Sequence, residues 1–225
     1  MKEKNTRLCF SADFTKKDDL LLWATLVGPD ICILKTHIDI LEDFGEDVII
    51  ELKKLSKKFN FLILEDRKFA DIGKTFQKQL FSSIYKIASW ADIITIHGIT
   101  AEGMLSLLDK QPNSPKVLIV SQMSSQDNLI SEDYTKKCYK IAKKYPHLVI
   151  GFISQKKFVD DDSFLFLTPG VKTTNQKELD QNYRTPQQAI VEDKNDIIIV
   201  GSGIYSTSNE EFCKVMEKYK ITNNT

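Results

Sequence analysis

The residues best suited to chemistry lie in one stretch, Leu64-Glu65-Asp66-Arg67-Lys68-Phe69-Ala70-Asp71-Ile72-Gly73-Lys74-Thr75. Asp66, Lys68 and Asp71 make an Asp-x-Lys-x-x-Asp pattern, an ammonium held between two carboxylates. Each carboxylate favours the charged amine, and the amine favours both ionised acids. At a protein-like effective dielectric, one such pair about 4 Å apart interacts by roughly 4 kcal/mol. Such a lysine suits the role of positioned proton donor, and of partner to a developing negative charge, better than that of nucleophile. Alone, the pattern more often marks a salt-bridge cluster on an exposed loop. What surrounds it decides.

The elements that must position these groups are short. Phe61-Leu62-Ile63-Leu64 reads as a buried strand. Alternation puts Leu62, Leu64, Asp66 and Lys68 on one face if the extended backbone continues. The same layout, an apolar run with polar residues at its C-terminal end, recurs along the chain. Ser11 and Asp13 end an expected strand over 7–13, Lys35 and His37 end one over 30–37, and His97 ends one over 92–97. Further strands are expected over 116–121, 148–153, 164–168 and 196–200. The fifth runs into Gln122-Met123-Ser124-Ser125, the seventh into Pro169-Gly170, and the eighth into Gly201-Ser202-Gly203. Helical patterns cover 17–26, 46–58, 75–88, 100–109, 131–144 and 208–220, with a short one over 186–191. Val48, Ile49, Leu52 and Leu55 form an apolar stripe on the second.

Eight strands mostly alternating with helices argue for an α/β fold, a single (β/α)₈ TIM barrel over residues 1–225. Active sites of such barrels lie at the C-terminal ends of the strands, where these polar residues collect. This converts the charged stretch from a surface cluster to a candidate active site. Phosphate is often bound after the last two strands, and Gly201-Ser202-Gly203 offers backbone amides and a hydroxyl there.

Composition sets bounds. Of 225 residues 42% are hydrophobic and 28% charged, and Lys+Arg equals Asp+Glu at 31 each. With no net charge, nothing draws the chain to nucleic acid or to an anionic membrane. No apolar run approaches the length of a membrane span. Cys9, Cys32, Cys138 and Cys213 are scattered, without Cys-x-x-Cys, and read as reduced thiols. A cytoplasmic location is expected.

Ordered motifs between residues 8 and 205 resemble the orotidine 5′-phosphate decarboxylase family. They are Leu8-Cys9-Phe10-Ser11-Ala12-Asp13, Leu34-Lys35-Thr36-His37-Ile38-Asp39, Glu65 through Gly73, Ile87-Ala88-Ser89-Trp90-Ala91-Asp92, Gln122-Met123-Ser124-Ser125, Val149 through Ser154, Leu167-Thr168-Pro169-Gly170-Val171 and Asp196 through Gly201. The wording is closer to the animal and fungal branch, and the expected form is monofunctional. The resemblance implies cofactor-independent decarboxylation of orotidine 5′-phosphate to UMP, the last step of pyrimidine nucleotide synthesis, with no metal or organic cofactor. It implies that Lys68 protonates the carbon that loses carbon dioxide, flanked by Asp66 and Asp71. Asp71 and Thr75, with Ile72 beside them, would reach the site of a second subunit in a homodimer. Asp13 and Lys35 would hold the ribose, supported by His37. Ser124 would meet the pyrimidine, and Pro169 would line the substrate pocket. Gln181 and Tyr183 would close over the phosphate, with Gly201 and Ser202 beneath it.

One position departs from the family. Ser202 stands where the family has an arginine that grips phosphate as a bidentate fork. Arg184, next to Tyr183, is the candidate replacement. Two alternatives remain at this point: a nucleotide-binding barrel with impaired catalysis, of which Ser202 would be the first sign, and a metal-dependent sugar-phosphate decarboxylase of the same superfamily. The latter should lack Lys35-Thr36-His37 and the Gln122–Ser125 segment.

Overall fold

Strands of a parallel barrel are covered on both faces, so they can be short and apolar throughout. This chain follows that rule in a computed structural model that describes residues 3–173, 183–207 and 210–220. The strands are β1 (Leu8–Ala12), β2 (Ile33–Thr36), β3 (Leu62–Phe69), β4 (Ile93–His97), β5 (Lys116–Val120), β6 (Val149–Ile153), β7 (Leu165–Thr168) and β8 (Ile197–Val200). They pair in chain order and close into a barrel, β8 against β1. The helices are α1 (Lys17–Val27), α2 (Glu46–Phe59), α3 (Gly73–Gln77), α4 (Ala101–Leu108), α5 (Glu132–Ala142), α6 (Ser202–Tyr205) and α7 (Phe212–Tyr219).

Strand alternation sorts the core into two layers. Cys9, Ile33, Leu64, Ile93, Leu118, Leu167 and Ile197 fill the barrel interior. Their neighbours, such as Phe10, Leu34, Ile63, Ile94, Ile119 and Ile198, pack outward beneath the helices. On α2, Val48 and Leu52 are buried, and Ile49 and Leu55 pack partly buried on the same cluster. Ser131 caps α5 by accepting a hydrogen bond from Tyr134 N at 3.2 Å. All four cysteines are free, with only Cys213 exposed.

Three elements differ from the sequence reading. The helix expected over 75–88 begins earlier, as α3, continues as a π-helical turn (Lys78–Ser82) and stops. Ser83 is extended and Lys86 is left-handed (φ 42°) before a 3₁₀ turn at Ile87–Ser89, so no helix can run through. The closing helix is the shorter α7, preceded by the unexpected α6; residues 208–209 lie outside the described residues. Finally, β3 extends through the charged stretch to Phe69, and its register against β4 shifts between Glu65 and Phe69.

Candidate active site

The inward-facing positions of β1 to β4 change character over one step. Below lie Cys9, Ile33, Leu64 and Ile93; the next inward positions are Ser11, Lys35, Asp66 and Thr95. Ser11 is in register with Lys35, and Lys35 with Leu64. The charged groups therefore share the barrel's C-terminal end because the strands that carry them are staggered only slightly.

Lys35 is buried, with its ammonium hydrogen-bonded to Asp13 and His37 and ion-paired with Asp66. Nζ lies 3.2 Å from Asp13 Oδ1, 3.2 Å from Asp66 Oδ2 and 2.8 Å from His37 Nε2. Burial alone would favour the neutral amine, but Asp66 and Asp13 outweigh it and raise the Lys35 pKa. His37 goes the other way: burial and then Lys35 lower its pKa. A neutral ring with Nε2 accepting from Lys35 satisfies both groups. Asp13 is drawn below the usual carboxylate range: burial pushes it up, but Lys35, the Ser11 hydroxyl and His37 together prevail. Ser11 Oγ donates to Asp13 at 2.8 Å.

Asp66 is the hub. Its Oδ2 accepts from Lys68 Nζ at 2.7 Å, and its Oδ1 accepts from Thr95 Oγ1 at 2.8 Å. Burial pushes its pKa up, yet Lys35, Lys68 and His37 hold it down at about 2. Asp66 is thus an ionised carboxylate inside a barrel, tolerated because Lys68 and Thr95 donate to it and the Lys35 ammonium lies 3.2 Å away. Lys68 does not continue the extended backbone. It sits in the left-handed region (φ 51°) at the register shift of β3. Its N–H donates to Thr95 Oγ1 at 2.9 Å, and its side chain returns to Asp66 with 31% of its surface open. A non-glycine residue held at positive φ costs about 1–2 kcal/mol, and strain of this kind concentrates at functional sites.

These groups line a cavity of about 360 Å³ at the barrel's C-terminal end, within the range of small-molecule sites. Asp13, Lys35, His37, Asp66 and Lys68 form one end. Met123 and Ser124 lie along the wall, with Pro169 and Gly170. Lys172, Tyr183, Gly201, Ser202, Gly203 and Tyr205 complete it.

Four of the expected residues do not line this cavity. Asp71 is half-buried, and binds its neighbour Ile72 N (2.7 Å) and Gln79 Nε2 (3.5 Å). Ile72 is 66% exposed and Thr75 is exposed. Arg184 is the fourth, and its geometry speaks against the phosphate role. Its guanidinium donates to the Gln155 carbonyl, the Thr168 hydroxyl and the Asp193 carboxylate. The reason is alternation: Arg184 is bridged to Val171 in extended backbone, so Tyr183 faces the cavity and Arg184 faces away. Gln181 lies outside the described residues.

Three groups at the site escaped the sequence reading. Thr95 was legible, two residues beyond Ile93 on the inward face of β4. Lys172 is the first cation after the Pro169-Gly170 turn, a position that invites notice. Tyr205 gave no signal, since α6 was not expected.

A closed parallel barrel with a lysine–aspartate network at its C-terminal end defines a class of barrel enzymes that act on small molecules. The sequence profile of the orotidine 5′-phosphate decarboxylase / HUMPS family matches residues 6–213, and the chain belongs to that family. It is 44% identical over 215 residues to the orotidine 5′-phosphate decarboxylase of Rhizomucor pusillus, covering 93% of this chain and 82% of that one. It is 42% identical over 222 residues to the uridine 5′-monophosphate synthase of Bos taurus, covering 97% of this chain and 46% of that protein. The crystal structure of orotidine 5′-phosphate decarboxylase from Lactobacillus acidophilus superimposes with a TM-score of 0.65 at 23% identity, over 96% of this chain and all of that one, which speaks to the fold alone.

Proposed function

We propose that this chain converts orotidine 5′-phosphate to UMP, with Lys68 as the proton donor. The observation that carries the reading is the Lys68 ammonium, held 2.7 Å from Asp66 at the wall of the cavity. The relatives named as decarboxylases of this substrate support it. In the reaction the bond between pyrimidine C6 and the carboxylate carbon breaks, and its electron pair stays on C6. Carbon dioxide leaves, a proton moves from Lys68 Nζ to C6, and the amine regains a proton from water. The cation beside Asp66 stabilises the C6 carbanion before the transfer, so preorganised charge supplies the acceleration.

In this reading Asp13 and Lys35, steadied by Ser11 and His37, meet the ribose hydroxyls, and Ser124 meets the pyrimidine edge. Pro169, Tyr183, Gly201 and Ser202 take the remaining contacts. Asp71, Ile72 and Thr75 have a different part in this reading. They stand outside their own cavity and serve the site of a second copy in a homodimer. Loss of orotidine 5′-phosphate absorbance is the direct test, with chelator present and a Lys68→Ala chain alongside. Turnover that disappears in the variant is expected. Equal turnover in both chains would remove Lys68 from the mechanism, and UMP binding without turnover would indicate a barrel that has lost catalysis.

A further inference from the structure

We propose that Tyr205 is a further substrate contact, its hydroxyl donating to the oxygen of the ribose hydroxyl that Asp13 binds. The proposal rests on the decarboxylase reading for the identity of the ligand. It starts from hydrogen-bonding capacity. A ribose hydroxyl both donates and accepts, whereas an ionised carboxylate only accepts. Asp13 keeps 37% of its side chain open and can take the hydrogen of a sugar hydroxyl. The oxygen of that hydroxyl then needs a donor. Those nearest are turned inward on the network: Ser11 Oγ donates to Asp13 at 2.8 Å, and the Lys35 ammonium serves Asp13 and His37 and is paired with Asp66.

Tyr205 of α6 lines the same cavity and packs against the end of β1. Gly201 lies between it and Ser11: a Cβ on Gly201 would come within 3.2 Å of Ser11 Cβ and 3.4 Å of Tyr205 Cε1. The Tyr205 ring centroid is 5.1 Å from that of Phe14, the residue after Asp13. Phe10 of β1 and Trp23 of α1 meet the ring edge-on at 6.4 and 6.5 Å. These are the separations of packed aromatic rings, so three neighbours fix the body of the side chain. Among the described residues no group hydrogen-bonds its hydroxyl. Burial raises the Tyr205 pKa, Asp13 adds to the rise and Lys35 opposes it, so the hydroxyl keeps its proton at neutral pH and is a donor. Apolar packing holds the ring, and the polar tip is left for a ligand.

The test is calorimetric titration of the parent chain and of Tyr205→Phe with UMP, uridine, 2′-deoxy-UMP and 3′-deoxy-UMP. The variant keeps the ring in its aromatic cluster and removes only the hydroxyl. Loss of one neutral hydrogen bond corresponds to about 2- to 13-fold weaker binding. UMP and uridine should each weaken by that factor. One of the two deoxynucleotides should bind parent and variant equally, because it lacks the oxygen that Tyr205 meets. Unchanged UMP affinity would overturn the proposal and leave Tyr205 a packing residue. A loss for UMP without one for uridine would overturn it in favour of a phosphate contact, and a full loss for both deoxynucleotides in favour of another substrate atom. Binding read directly stands apart from turnover. UMP binding that depends on the Tyr205 hydroxyl, in a chain that does not decarboxylate, refutes only the activity, and a parent chain that does not bind UMP refutes both.

Discussion

Thr95 joins two groups that must not move relative to each other. Its hydroxyl donates to Asp66 Oδ1 and accepts from the Lys68 N–H. One side chain on β4 therefore fixes both the hub carboxylate and the left-handed residue Lys68. Thr95→Val keeps the shape and removes both hydrogen bonds. Leaving a buried polar group without a partner costs about 1–3 kcal/mol, so a stability loss of that order is expected in urea unfolding. The more telling expectation is kinetic: a fall in kcat of about tenfold, the scale of one hydrogen bond to a charged group, with KM little changed. An unaltered kcat would make Thr95 a packing residue only. The Asp-x-Lys-x-x-Asp pattern was readable in sequence because charge types and parity are local properties. Thr95 was overlooked because its role depends on which residue of a neighbouring strand stands opposite, and a register shift in β3 decides that.

At the scale of an element, β3 serves two layers at once. Asp66 faces the cavity, while Glu65 faces outward and is fully buried. Thr36 Oγ1 donates to Glu65 at 2.7 Å, and Ile38 N donates to it at 3.2 Å. The carboxyl thus ties β3 to the turn that follows β2, the turn that carries His37. Burial raises its pKa to about 8 despite the Thr36 and Ile38 hydrogen bonds. Between pH 4.5 and about 8 the folded chain holds a proton here that the unfolded chain has released. Stability from this group is therefore full below pH 4.5 and declines as pH rises through the folded value. The slope is at most about 1.4 kcal/mol per pH unit. Glu65→Gln removes the titration and keeps an acceptor for both donors. Denaturant midpoints from pH 5 to 9 should fall for the parent chain relative to the variant, and parallel curves would count against the assignment. Sequence alone placed Glu65 in the chemical motif, where it has no contact with the cavity. Alternation separates it from Asp66, and only a known strand length makes that plain.

For the whole molecule, eight apolar runs with polar C-terminal ends were enough to read the barrel, because closing a parallel sheet buries both faces and leaves that mark in composition. Helix ends were less legible where the backbone turns on Ser83 and Lys86 rather than on glycine or proline. Assembly is the level at which one chain is insufficient. Asp71, Ile72 and Thr75 follow Lys68 closely in sequence yet lie off its cavity, with Ile72 66% exposed. If a second copy receives them, Lys68 and Asp71 of any one site come from different chains. Lys68→Ala and Asp71→Ala homodimers should then both be inactive. In a heterodimer of the two, one site joins the intact Lys68 of one chain to the intact Asp71 of the other, and the second site lacks both. Random exchange of equal amounts makes half the dimers mixed, so about a quarter of the parent activity should return for a two-fold assembly. Activity measured after mixing, dilution and re-association reads this directly. Failure to recover activity, with mixed dimers shown to form, would mean that Lys68 and Asp71 act within the same chain.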